Sequence, residues 1–151
     1  MNLQEELKSL KERIAELEEH DKEQQEFPKM GDIYWRIDDR GSVDNCMYNN
    51  YYTDNHRQAI GNFFKTKEQA VFALEKLKVE VELRKFSRPF EYGKFNYHLF
   101  FDIDGNSFRT DFTSYCPLQG AIYFESAEKA EEAIETVEKE RIKKYIFGVE
   151  N

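Results

Sequence analysis

Leu3, Leu7, Leu10, Ile14 and Leu17 are spaced by threes and fours, which predicts a helix over residues 1–22 with one apolar stripe. Asn2 is placed to cap it, and Glu5 stands three residues later, close to the reciprocal pattern of a capping box. In heptad terms Leu3, Leu10 and Leu17 are d positions, while Leu7 and Ile14 are a positions. Glu6 and Arg13 then fall at g, and Lys11 and Glu18 at e. A parallel pair would set Glu6 against Lys11 and Arg13 against Glu18, opposite charges each time. The stripe therefore predicts a homodimer through Leu3, Leu7, Leu10, Ile14 and Leu17, with packing on the chain's own fold as the rival. The pattern fails at Asp21 and Gln24, and Pro28 closes a polar linker over residues 23–30.

Beyond Gly31 the period changes to two. Ile33, Trp35 and Ile37 alternate with Tyr34, Arg36 and Asp38, as in a half-buried strand. Asp39-Arg40-Gly41 is turn material, and a second strand is expected from Ser42 to Tyr48. A polar loop from Asn49 to Arg57 leads to a short third strand, Ala59 to Phe64. Thr66 with Gln69 reads as a capping box, and Ala70, Ala73, Leu74, Leu77 and Val81 mark one face of the helix that follows. The order then repeats. Phe95, Tyr97, Leu99, Phe101 and Ile103 alternate with polar positions; Asp104-Gly105 signals a hairpin; Phe108, Thr110 and Phe112 share a face on the return strand. A third strand is expected at Ala121–Phe124, and Ser126 caps a last helix with Ala130, Ala133, Ile134, Val137, Ile142 and Tyr145 inward. The turn glycines Gly41 and Gly105 are 64 residues apart, and the helix starts Thr66 and Ser126 are 60 apart. The missing four residues fall in the loop after the second strand, where deletions cost least.

The predicted fold is therefore α+β: a heptad helix followed by a duplicated β-β-β-α unit, residues 31–90 and 91–151, with antiparallel sheet and helices packed on it as one globular domain. The pattern leaves open whether the two units share a continuous sheet or face each other with two.

Charge narrows the functions. The net charge of −8 is uneven: −4 over residues 1–30, +1 over 31–90 and −5 over 91–151. A free duplex binder carries a basic stripe, so this balance argues against direct nucleic-acid binding and suits a basic protein partner, or simply a solvated surface. No apolar run reaches the roughly 20 residues of a membrane-spanning helix. Two lone cysteines, Cys46 and Cys116, lack disulfide or zinc spacing, which with the acidic N-terminus predicts a cytoplasmic protein with reduced thiols.

Little in the chain carries chemistry. Asp102–Asn106 resembles a calcium loop only faintly, because its glycine stands fourth and Thr113 occupies the position of the bidentate glutamate. His20, His56 and His98 lack carboxylates at ligand spacing, and no phosphate-binding glycine motif or nucleophile elbow occurs. The expectation is no catalytic residue, no metal and no cofactor. Two surfaces are candidates for partner binding. One is the stretch carrying Tyr48, Tyr51, Tyr52, Asp54 and Arg57, since tyrosines among Asn, Asp and Arg supply rigid area with hydrogen bonds. The other is the last helix, whose Glu128, Glu131, Glu135 and Glu138 repeat a negative charge along one rod, as a phosphate backbone does.

Tyr34-Trp35-x-Ile37, Gly41, Asp54-x-x-Arg57 and Gly61-Asn62-x-Phe64-x-Thr66-x-Glu68-x-Ala70 stand out as a set. With Ile122-Tyr123-Phe124-x-Ser126 and Arg141-Ile142-Lys143-Lys144-Tyr145, the chain resembles small accessory proteins of phages and prophages of Gram-positive bacteria. These motifs are structural. The resemblance covers about residues 31–149 and implies, by analogy with small acidic phage proteins, an inhibitor of host defence of the anti-CRISPR type. The expected function is stoichiometric, non-enzymatic occlusion of a defence protein such as a CRISPR effector nuclease in the host cytoplasm. The alternatives are a nucleic-acid-binding accessory factor in replication or packaging, and a pocket protein sequestering a small nucleotide through Arg36, Arg57 and Arg109.

Overall fold

The computed structural model describes residues 2–25 and 27–150, with the backbone alone for 22–25. Residue 26 of the predicted linker and the terminal residues 1 and 151 lie outside the described residues. The architecture is mixed α+β, an N-terminal helix followed by two small antiparallel sheets with helices. The chain divides into two compact units, Met1–Ala70 and Val71–Asn151.

The first unit opens with α1 (Leu3–Gln25), which extends past the predicted end at residue 22. Its start is a full capping box: Glu5 N–H donates to Asn2 Oδ1 at 2.9 Å, and Asn2 N–H donates to Glu5 Oε2 at 3.2 Å. Strands β1 (Ile33–Ile37) and β2 (Val43–Met47) form an antiparallel hairpin, Ile33 opposite Met47 and Ile37 opposite Val43. Asp38 Oδ1 closes the turn by accepting from the N–H groups of Arg40 and Ser42, both at 2.9 Å. These bonds, led by that from Ser42, hold the Asp38 carboxyl below its ordinary pKa.

Two expectations change in this unit. The polar stretch after β2 is not all loop, because Tyr52–Ala59 forms helix α2. Nor is the predicted third strand Ala59–Phe64 a strand. Only Phe64 pairs with β1, exchanging two bonds of 2.8 Å with Trp35. Two residues earlier the Asn62 side chain stands in for a backbone: its Oδ1 accepts from Ile37 N–H and its Nδ2 donates to Ile37 C=O, both at 2.7 Å. A side-chain amide can satisfy a strand edge without the chain being extended.

The second unit takes most of α3 (Lys67–Arg84), then β3 (Asn96–Asp102), β4 (Ser107–Thr113), α4 (Ala127–Val137) and α5 (Lys139–Tyr145). The hairpin runs from Asn96 opposite Thr113 to Asp102 opposite Ser107. Its turn is where Asp104-Gly105 placed it, although the left-handed residue is Asn106, at φ 46°. The third strand is again a bridge: Phe124 exchanges two backbone bonds with Tyr97, at 2.8 and 3.1 Å. Each bridge residue, Phe64 and Phe124, stands two residues before a helix cap, Thr66 or Ser126, whose hydroxyl accepts from the N–H three residues on. The repeat is thus visible in backbone bonding. No six-stranded sheet forms among the described residues; there are two separate hairpins.

The core of this unit joins Val79, Leu83, Phe124, Ala130, Ala133, Ile134, Val137 and Ile142, with Tyr97, Leu99 and Phe108 packed against it. The predicted inward residues of the last helix are buried, Tyr145 partly, beside the Phe72 ring at 5.1 Å. That helix is not one rod, however. It breaks at Glu138, which takes φ 85°, and α5 sets off anew. The predicted face of α3 also needs correction. Ala70 is buried, but Leu77 and Val81 are exposed while Val79 and Leu83 enter the core. Apolar residues lie all around α3, so periodicity cannot choose a face and tertiary packing does.

Candidate functional site

In the first unit the stretch from Tyr48 to Arg57 is built on a buried polar anchor. Tyr34 lies on the side of β1 facing α2, fully buried, its ring stacked on Phe63 at 4.0 Å. Its hydroxyl donates to Asp54 Oδ1 at 2.6 Å and accepts from Arg57 Nη1 at 2.8 Å. The second carboxylate oxygen of Asp54 accepts from the N–H groups of Asn49, at 3.0 Å, and Tyr51, at 3.1 Å. Arg57 Nη1 also reaches Cys46 Sγ at 3.6 Å. The hydrogen bond from Tyr34 is the main reason Asp54 titrates below the usual carboxylate range. Burial first, and Asp54 second, push the Tyr34 phenol up to about 12. The anchor thus explains why a polar stretch becomes a helix: one buried carboxylate binds the strand, the loop backbone and the first turn of α2 together.

This sorts the predicted residues of the stretch. Asp54 is buried and Arg57 half-buried, so both shape the surface from beneath. Tyr48 is half-buried, with its hydroxyl donating to Asn50 Oδ1 at 3.2 Å. Tyr51 and Tyr52 are 66 % and 76 % exposed, and the Tyr52 ring lies 3.8 Å from that of His56. The face offered outward is therefore two tyrosines and a histidine on the first turns of α2, a smaller set than the spacing suggested.

In the second unit Glu128, Glu131 and Glu135 lie on one outward face of α4, opposite its buried Ala130, Ala133, Ile134 and Val137. All three are exposed and have no ion-pair partner among the described residues. Glu138 does not continue that row, because it is the residue at the helix break. Glu131 and Glu135 rim a cleft of about 350 Å³ whose wall includes Phe101, Phe108 and Ile134. Lys143 closes one side. It is buried, with Nζ donating to Asn106 Oδ1 at 2.9 Å and lying 5.4 Å from the centre of the Phe101 ring. Spacing assigns Lys143 no inward role, since a lysine in the last turn of a helix reads as a solvated charge.

The arginines proposed to hold phosphates are engaged within the chain. Arg36 pairs with Asp44 at 2.8 Å, Arg57 serves Tyr34, and Arg109 lies 3.2 Å from Asp102. No group of three His, Cys, Asp or Glu side chains among the described residues could hold a metal ion. No helix among them is long and apolar enough to cross a membrane. On α1, Leu3, Leu7, Leu10, Ile14 and Leu17 are 52–85 % exposed. Comparison with protein-family models, curated proteins and solved structures finds no match for the chain.

Proposed function

We propose that this chain is a non-enzymatic binding protein that blocks a basic, nucleic-acid-binding surface on a bacterial defence protein. The resemblance to phage accessory proteins makes a CRISPR effector nuclease in the host cytoplasm the target class to test. The observation that supports this reading most is the row Glu128, Glu131 and Glu135: three exposed carboxylates on one face of a helix, none spent on a partner among the described residues. Over the roughly 10 Å between the first and last of them, charge repeats along a rigid axis. A basic channel shaped for phosphates can accept such a row by the same electrostatics. Tyr51 and Tyr52 supply a second surface, of the amphipathic kind that anchors protein interfaces. In this reading α1 is a self-association helix, and a homodimer would present each surface twice, with avidity where both copies engage.

The test is a titration of the protein into a DNA-binding and cleavage assay of the nuclease. Loss of DNA binding should saturate at a fixed stoichiometry and weaken as salt rises. Charge reversal at Glu128, Glu131 and Glu135 together should remove most of the inhibition while the fold persists, because all three face solvent. Unchanged cleavage at large molar excess overturns the proposal. A gel shift of free DNA by the protein alone would move the reading to a nucleic-acid accessory factor.

A further inference from the structure

We infer that α1 pairs with the α1 of a second copy of this chain in one specific arrangement, parallel and in register. The inference rests on reading α1 as a self-association helix and is independent of the target's identity. Its first support is exposure. Leu3, Leu7, Leu10, Ile14 and Leu17 form a continuous stripe, and each is more than half exposed. That removes the rival packing on the chain's own fold. The second support is charge. Glu6, Lys11, Arg13 and Glu18 flank the stripe, exposed and without an ion-pair partner among the described residues.

The orientation follows from comparing registers. In the parallel, in-register pair all five apolar residues enter the seam. Glu6 then meets Lys11 of the second copy and Arg13 meets Glu18 of the second copy, and symmetry doubles each pair. Ile14 at an a position with leucines at all three d positions favours two strands over three or four. Antiparallel pairing must set a against d. One such register puts Leu7 opposite Leu10 but leaves Leu17 beyond the start of the other helix. The next puts Leu7 opposite Leu17 and Ile14 opposite Leu10, and it also sets Leu3 against Asp21, Arg13 against Arg13 and Lys11 against Lys11. The first loses apolar burial and the second stacks like charges, so neither competes with the parallel pair. The capping box on Asn2 and Glu5 supports the same end, because it fixes the first turn from which the seam begins.

The experiment uses the full chain. Sedimentation equilibrium over rising concentration should move the mass from the 18.1 kDa of one chain towards twice that value. A Leu3→Cys variant, with Cys46→Ser and Cys116→Ser, should cross-link to itself on mild oxidation. With both native thiols retained, Glu6→Lys should raise the dimer Kd about tenfold, and adding Lys11→Glu should restore it. A single-chain mass at every concentration would overturn both this inference and the reading of α1 as a self-association helix. In the same background lacking native thiols, a dimer that cross-links only when Leu3→Cys is mixed with Ile14→Cys, or Leu7→Cys with Leu17→Cys, would overturn the parallel arrangement alone.

Discussion

Tyr34 and Asn96 occupy the same place in the two repeats. Each immediately precedes the strand residue that bridges to the pre-helix phenylalanine, Trp35 to Phe64 and Tyr97 to Phe124. Both are fully buried, and both accept a hydrogen bond from an arginine, Arg57 in one case and Arg88 in the other. What they are tied to differs. Tyr34 is held by the carboxylate of Asp54 on α2, so its anchor is ionic and titrates. Asn96 is held by backbone: its Oδ1 accepts from Glu91 N–H at 2.9 Å, and its Nδ2 donates to the carbonyls of Glu91, Lys94 and Thr113 at 2.9–3.0 Å. The longer connection after the second strand of repeat one, residues 48–65 against 114–125 in repeat two, explains the divergence. It leaves room for α2, which brings an acid over the hairpin; repeat two has only a loop there. Equivalent positions in the two repeats are thus closed by two different chemistries.

The strongest way to probe that contrast is Asn96→Ala. It removes the Asn96 partner from three carbonyls, one backbone N–H and one of the three bonds of the Arg88 guanidinium, at a fully buried side chain, so a loss of about 3–4 kcal/mol is expected. Trp35 is the only tryptophan and lies in the first unit, so denaturant unfolding followed by fluorescence and by far-UV circular dichroism reads the units differently. The dichroism transition should shift more than the fluorescence one. An equal shift in both would mean that the two anchors do not act separately.

A smaller effect tests the helices. Val137 on α4 and Leu77 on α3 are equivalent, 60 residues apart, yet Val137 is 1 % exposed and Leu77 is 50 % exposed. Val137→Ala should cost about 2–3 kcal/mol and Leu77→Ala less than about 1, by the same unfolding measurement. Equal costs would show that the Leu77 face is covered in solution.

The smallest effect is in pH. The Tyr34 phenol is raised above its unfolded value to about 12, so its neutral form is the one the fold favours. The stability it contributes is complete below the unfolded value near 10 and is lost as pH climbs from there through 12. Asp54 is depressed, so its contribution is present above the ordinary carboxylate value and is lost as pH falls through its lower folded value. Trp35 fluorescence should therefore report loosening of the first unit at both extremes. Tyr34→Phe should flatten the alkaline arm, with one fewer late-titrating tyrosine by ultraviolet absorbance. Asn96 has no proton to exchange in either range, so its anchor should contribute nothing to this profile.

Much of the fold was legible because it is written in local rules. The Asn2 and Ser126 caps, the alternation in Tyr97, Leu99 and Phe101, and the inward set Ala130, Ala133, Ile134 and Val137 each follow from spacing and residue type. What was not legible depends on partners far along the chain. Asn96 sits on the polar side of an alternating strand, where periodicity predicts exposure, and its five bonds are invisible until the strand is placed. Asp54 reads from the sequence as part of an outward partner-binding surface, and only the phenol twenty residues earlier gives it an inward role. The candidate surfaces divided the same way. Exposed Tyr51, Tyr52, Glu128, Glu131 and Glu135 were readable as residue types on a face, whereas the break at Glu138 needed a backbone angle.

The placement of Val79 and Leu83 has a consequence for ancestry. Both belong, by sequence, to the first copy of the duplicated segment, yet they complete the core of the unit that contains the second copy. The segment that was copied and the segment that folds no longer share a border. A gene break at residue 90, clean in terms of descent, would strip the second copy of two of its most deeply buried side chains. The second repeat taken alone, from residue 91, therefore lacks part of its own core, and its folding depends on a helix that sequence assigns to the first.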